Sequence, residues 1–121
     1  MTAGNPGFQP GRKRLLFVCT ANQHRSRTAE DLYRSNPLYE VLSGGTDVCP
    51  GEPDERPVTR TMVDWADMIF VMEDRHRSVL AERFPGAGQK TIVLGIPDRF
   101  CRGDRRLIEM LRKRLSDYLQ V

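Results

Sequence analysis

Residues 15–26 read LLFVCTANQHRS, and the change of character inside that stretch decides the fold. Leu15–Val18 is a short, unbroken apolar run, the pattern of a strand buried on both faces. At Cys19 the chain turns polar. From Ser26 to about Ser35 the apolar residues Ala29, Leu32 and Tyr33 fall on one side of a helix, with Ser26 placed to cap it. Working outward, Tyr39–Ser43 reads as a second, more polar strand nearer an edge, and Gly44–Pro53 as a loop rich in Gly, Asp and Pro. Pro57 suits the first turn of a helix anchored by Val58, Met62 and Trp65. Met68–Met72 is a third buried strand, followed by a helix over Asp74–Phe84 that Pro85-Gly86 ends. Thr91–Ile96 is a fourth strand, stopped by Pro97. From about Asp104, Leu107, Leu111, Leu115 and Tyr118, with Ile108 and Leu119, recur at helical spacing. Short apolar strands alternating with amphipathic helices predict an α/β fold: a four-stranded parallel sheet covered on both faces. Ligands of such sheets bind beyond the carboxyl ends of the strands. Cys19 after the first strand and Asp98 after the fourth therefore share a rim.

The chain has 121 residues, enough for one core and too few for two. The polar, Gly- and Pro-bearing residues 1–11 read as a disordered leader, and 12–121 as the single domain. No apolar run approaches the ~20 residues of a membrane span, and the start lacks a signal-peptide core. A cytoplasmic protein without a membrane partner is expected. Cys19, Cys49 and Cys101 are odd in number and unrelated in spacing, which argues against a disulfide framework. A net charge of +3 is too mild to imply nucleic acid. Its distribution is more telling: residues 1–35 hold six Arg and Lys against two acids, so the surroundings of Cys19 suit an anion. The oligomeric state is not legible.

Cys19 to Ser26 has the form C-x5-R-S. Five residues between Cys and Arg let the backbone of Thr20, Ala21, Asn22, Gln23 and His24 curl into a ring with its N–H groups inward, a concave anion site. The helix that follows adds its positive end, a field that favours a thiolate at Cys19. Arg25 offers a planar fork to two phosphoryl oxygens. A thiolate beneath a cradled phosphate is set for in-line attack and a phosphocysteine intermediate. With 16 arginines in the chain the spacing alone arises by chance easily; its place between a strand and a helix is what carries weight.

With VCTANQHRSRTAEDLY at the loop and helix, SGGT at 43–46, DWADMIFVMEDRHRSVL at 64–80 and IPDRF at 96–100, the chain resembles the low-molecular-weight protein-tyrosine phosphatase superfamily, its short bacterial members above all. The resemblance implies a flavodoxin-like three-layer sandwich and metal-free, cofactor-free hydrolysis of phosphomonoesters, phosphotyrosine foremost, on a protein or a small aryl phosphate. By position it makes Cys19 the nucleophile, Arg25 the phosphate clamp and Asp98 the general acid. Asn22 becomes the brace of the loop, Ser26 the hydroxyl that stabilises the thiolate, and Ser43 the support of Asn22. The chain departs from the pattern in three places. Ala21 stands where the family usually has Gly; His24 replaces a second loop cysteine, so no disulfide can form within the loop; and Cys49 takes the place of an aromatic wall, leaving Phe100 to face a phenyl ring.

Asp104, the rival acid, precedes Leu107 at a helix start and reads as its cap. His24 reads as a loop brace, and His76, on a charged helix, as solvated. Two scattered histidines without HExxH or CxxC spacing predict no metal. Arg112-Lys113-Arg114 reads as the exposed face of the last helix. Two other functions fit the same residues. A thiol-dependent arsenate reductase needs two further cysteines to pass a disulfide outward, and only Cys101 lies in the right half of the chain. A non-catalytic phosphoprotein-binding module would lack the acid or the arginine, and both are present.

Overall fold

The computed structural model describes residues 12–120, so the leader reading of 1–11 lies outside them. Four strands, β1 (Lys13–Cys19), β2 (Tyr39–Gly45), β3 (Met68–Val71) and β4 (Thr91–Val93), form one sheet in the order β2-β1-β3-β4, every pair parallel. Between and after them come α1 (Arg25–Tyr33), α2 (Arg60–Trp65), α3 (Asp74–Arg83) and α4 (Arg105–Leu115), with a short 3-10 turn at Ala87–Lys90. The alternation β-α-β-α-β-α-β-α expected from the sequence is the one observed, with the polar β2 at an edge.

β1 sorts the core into two layers, because successive side chains leave a strand on opposite faces. Leu15 and Phe17 join Phe70 of β3 under α1 and α4, where Ala29, Tyr33, Leu107, Leu111 and Leu115 close the layer. Leu16 and Val18 join Ile69 and Val71 under α2 and α3, against Val63 and Leu80. Each such Leu, Val or Phe, fully withdrawn from water, contributes roughly 1.5–3 kcal/mol. In the last helix the stripe runs through Leu107, Leu111, Leu115 and Leu119, while Tyr118 stays half exposed.

Three local expectations are corrected. Ser26 does not cap α1: the helix begins at Arg25, and the Ser26 hydroxyl is engaged with Cys19 and Asn22. Pro57 does not open α2 but bridges Gly45, and Thr59 is the cap, accepting the Met62 N–H at 3.2 Å. β4 ends at Val93, because Gly95 takes a φ of +71°, although the Leu94 and Ile96 N–H groups still reach carbonyls of Val71 and Met72. Among the described residues no helix is long and apolar enough to cross a membrane.

Candidate active site

β1 delivers Cys19, 3% exposed, to the carboxyl rim of the sheet. The chain then curls back into α1 through Asn22, whose φ of +57° lies in the left-handed region that Asn tolerates better than most residues. The end of β2 holds this curl from below. Thr46 and Asp47 donate N–H bonds to the carbonyls of Cys19 and Thr20 at 3.0 and 2.8 Å. A Cβ at Gly45 would sit 2.6 Å from the Thr20 oxygen, so the close approach needs glycine.

Counting hydrogens fixes the direction of most of the buried network behind the loop. Asn22 is oriented by the Arg56 N–H, which donates to its Oδ1 at 3.0 Å. Its Nδ2 hydrogens go to Ser26 Oγ at 2.9 Å and Ser43 Oγ at 3.0 Å. Ser43 gives its own hydrogen to Glu30 Oε1 at 2.6 Å. Ser26 Oγ, which accepts from Asn22, lies 3.0 Å from Cys19 Sγ, and toward a thiolate, which has no hydrogen of its own, its O–H is the donor. Against a Cys19 thiolate the chain of donors thus delivers one hydroxyl hydrogen to the sulfur. At its far end Glu30, 6% exposed, is paired with Arg56 at 2.7 Å. Asn22, Ser26 and Ser43 are brought together as the resemblance implies. Glu30 and Arg56 were missed; the available signal was the i, i+4 spacing of Ser26 and Glu30, which puts both on one face of α1.

Arg25 is 2% exposed. Its Nη1 donates to the Ile96 carbonyl at 2.7 Å and to the Glu73 carboxylate. Nη2 lies 3.5 Å from Thr20 Oγ1 and Nε 3.8 Å from Asp98 Oδ1. The protein therefore holds one edge of the guanidinium and leaves the Nε–Nη2 edge, the edge that grips an oxyanion in two places, toward a pocket of about 130 Å³. Cys19, Thr20, Ala21, Gln23, His24, Arg25 and Asp98 line it. The Arg75 hydrogen bond, with Arg25 behind it, holds Glu73 down to about 2 against its partial burial. Glu73 is thus a fixed anion that offsets the buried charge of Arg25.

Asp98 is exposed at the mouth, while Asp104 accepts the Arg106 N–H at 2.8 Å as the cap of α4. Phe100 is not brought to the pocket: it is 7% exposed, packs with the α4 layer, and carries the Arg99 and Arg106 guanidiniums near its ring. A residue that fills the core under α4 has no face left for a substrate ring. His24 accepts the Arg102 N–H at 3.2 Å and braces the loop. His76 is not solvated but 0% exposed, its nitrogens between Thr20 and the Glu73 N–H. Cys49 and Cys101 are exposed and unpaired. Beside the pocket, sharing Gln23 and His24 with it, lies a wider groove of about 440 Å³ walled by Glu52, Asp54 and Glu55. Glu55 accepts the Cys49 N–H at 2.7 Å and a bond from Gln23, which together lower its pKa and clip that wall to the loop. Among the described residues no group of His, Cys, Asp and Glu is arranged to hold a metal ion.

No family model matches the chain. A protein-arginine-phosphatase of Geobacillus stearothermophilus is 31% identical over an alignment covering 89% of this chain and 97% of that one. The tyrosine phosphatase Wzb of Escherichia coli K30, solved with phosphate, superposes with a TM-score of 0.71 at 21% identity, over 88% of this chain and 96% of that. The YwlE arginine phosphatase of Geobacillus stearothermophilus gives 0.64 at 22%, over 90% and 99%. A YwlE cysteine-to-serine mutant with a phosphorylated active-site serine gives 0.68 at 21%, over 87% and 97%.

Proposed function

Because the chain belongs to the low-molecular-weight protein-tyrosine phosphatase family, and is a phosphatase of that kind, we propose that it removes phosphoryl groups from protein side chains through a phosphocysteine intermediate at Cys19. The observation that carries this is the pocket that brings Cys19, at the end of the buried Asn22–Ser26 hydrogen-bond chain, together with Arg25 and Asp98. In the first step the Cys19 sulfur attacks phosphorus, the bond to the leaving atom breaks, and Asp98 supplies that atom with a proton. In the second step water attacks phosphorus, its proton passes to Asp98, and the S–P bond breaks. Ser26 O–H steadies the sulfur as it arrives and as it leaves. The relative with a phosphorylated serine at its mutated cysteine supports a covalent phosphoryl-enzyme. Cys19→Ser should lose turnover of an aryl phosphate at least ~10³-fold while still binding phosphate; retained turnover overturns the reading.

Phosphotyrosine is the substrate that the resemblance implies. A second reading, phosphoarginine, is favoured by the 31% identical relative and by the pocket wall, which carries no aromatic ring. A departing guanidine would meet Asp98 and the carboxylates of the adjoining groove. Comparing kcat/KM on one peptide carrying either phosphoresidue separates the two.

A further inference from the structure

Thr20 follows the nucleophile and lines the pocket, yet every protein group hydrogen-bonded to its hydroxyl is a donor. Arg75 Nη2 reaches Thr20 Oγ1 at 2.8 Å and Arg25 Nη2 at 3.5 Å. The third partner, His76 Nε2 at 2.9 Å, is a donor or an acceptor depending on its tautomer, and the structure decides which. The other ring nitrogen, Nδ1, faces the Glu73 backbone N–H at 3.0 Å and must accept from it. A neutral His76 therefore carries its hydrogen on Nε2 and gives it to Thr20. Burial, then the charges of Arg25 and Arg75, hold His76 down to about 4, so the ring is neutral at physiological pH.

The two lone pairs of Thr20 Oγ1 are thus spent on donors, and its hydrogen has no acceptor among the described residues. We infer that the Thr20 hydroxyl is a dedicated donor to a phosphoryl oxygen in the pocket, and that His76 is the positioning residue that turns it there. Accepting from the Arg75 guanidinium and the His76 imidazole polarises the O–H bond and strengthens it as a donor. A neighbouring acceptor, by contrast, would have drawn the hydrogen away from substrate. The inference rests on the phosphatase reading of the same pocket and assigns it a further phosphate contact, made by a side chain rather than by the loop backbone.

The test is calorimetric binding of inorganic phosphate, which needs no turnover. Thr20→Val keeps the shape and loses the hydrogen; it should weaken phosphate binding roughly 10-fold or more, as expected for one charge-assisted hydrogen bond, and Thr20→Ser should restore most of it. His76→Gln should weaken binding in the wild-type background and add nothing in Thr20→Val, because its effect passes through Thr20. Thr20→Val binding phosphate like wild type would overturn the assignment. A His76→Gln loss that persists undiminished in the double variant would overturn the positioning role. A wild-type protein that binds phosphate but hydrolyses nothing would sink the phosphatase reading and leave this one standing.

Discussion

At the residue scale the division of labour between Asp98 and Asp104 is testable through the leaving group. Asp98 stands at the mouth, near Arg25 Nε, while Asp104 spends its carboxylate on the cap of α4. Asp98→Asn should slow hydrolysis of phenyl phosphate by roughly 10²–10⁴ and cost far less on a nitrophenyl ester, whose leaving group needs no proton. Asp104→Asn, which keeps a side-chain oxygen for the cap, should leave both stability and that dependence little changed. A plot of rate against leaving-group pKa for both variants decides between them. Glu30 offers a second test, because it anchors the far end of the chain that ends on Cys19. Glu30→Gln should lower kcat by about 10-fold through misdirection of Ser43 and Asn22, with KM little changed. If only the melting temperature moves, the carboxylate is structural alone. That Cys19, Arg25 and Asp98 share one pocket was legible, because the C-x5-R spacing and the common rim of the first and fourth strands place them together. Glu30 and Arg56 were not, because a carboxylate and a guanidinium at unremarkable positions say nothing until the fold joins α1 to the segment after β2.

At the element scale the start of α3 is built on a buried neutral histidine, and that has a pH signature. His76 is held from 6.5 down to about 4 by its burial and then by Arg25 and Arg75, against the attraction of Glu73 and Asp98. Above pH 6.5 both folded and unfolded chains carry it neutral, and it contributes no slope. Between pH 6.5 and about 4 the unfolded chain takes up a proton that the folded one refuses, so stability falls with pH, by about 3 kcal/mol in all. Below about 4 the slope from this residue vanishes. Glu73, held at about 2, acts in the same direction over a lower window: its contribution is whole above its ordinary value of 4.5 and is lost as pH falls from there toward about 2. Chemical denaturation at pH 7 and pH 5 should therefore show a loss that His76→Gln abolishes; an equal loss in the variant would mean other groups cause it. The sequence showed α3 plainly, through its apolar positions and the Pro85-Gly86 stop. It did not show that His76 points inward, because nothing in a charged helix marks which polar residue the neighbouring loop will enclose. Pro57 and Ser26 misled for a related reason: each is a good helix starter whose backbone or hydroxyl had been claimed by Gly45 or by Cys19.

At the scale of the whole molecule the pocket joins most of the fold. The end of β1, the first turn of α1, Gly45 at the end of β2, the start of α3 and the carbonyl of Ile96 beyond β4 all meet around Arg25 and the loop. An oxyanion seated there replaces water on the free edge of Arg25 and on the loop, and bonds to groups that exist together only in the folded chain. Its binding free energy is therefore added to stability, by about 2.7 kcal/mol when phosphate reaches 100 times its dissociation constant. For a chain of this size that raises the melting temperature by roughly 10 °C. A net charge of +3 would let any salt relieve some self-repulsion, so the comparison must be made at equal ionic strength with chloride. Phosphate and sulfate should exceed chloride by several degrees in wild type and in Cys19→Ser, which keeps the cradle intact. In Arg25→Ala, which removes the guanidinium that would grip the oxyanion, that excess should disappear. If chloride matches phosphate in the wild-type protein, the loop is no preformed anion site, and its curl around Asn22 serves only to connect β1 to α1.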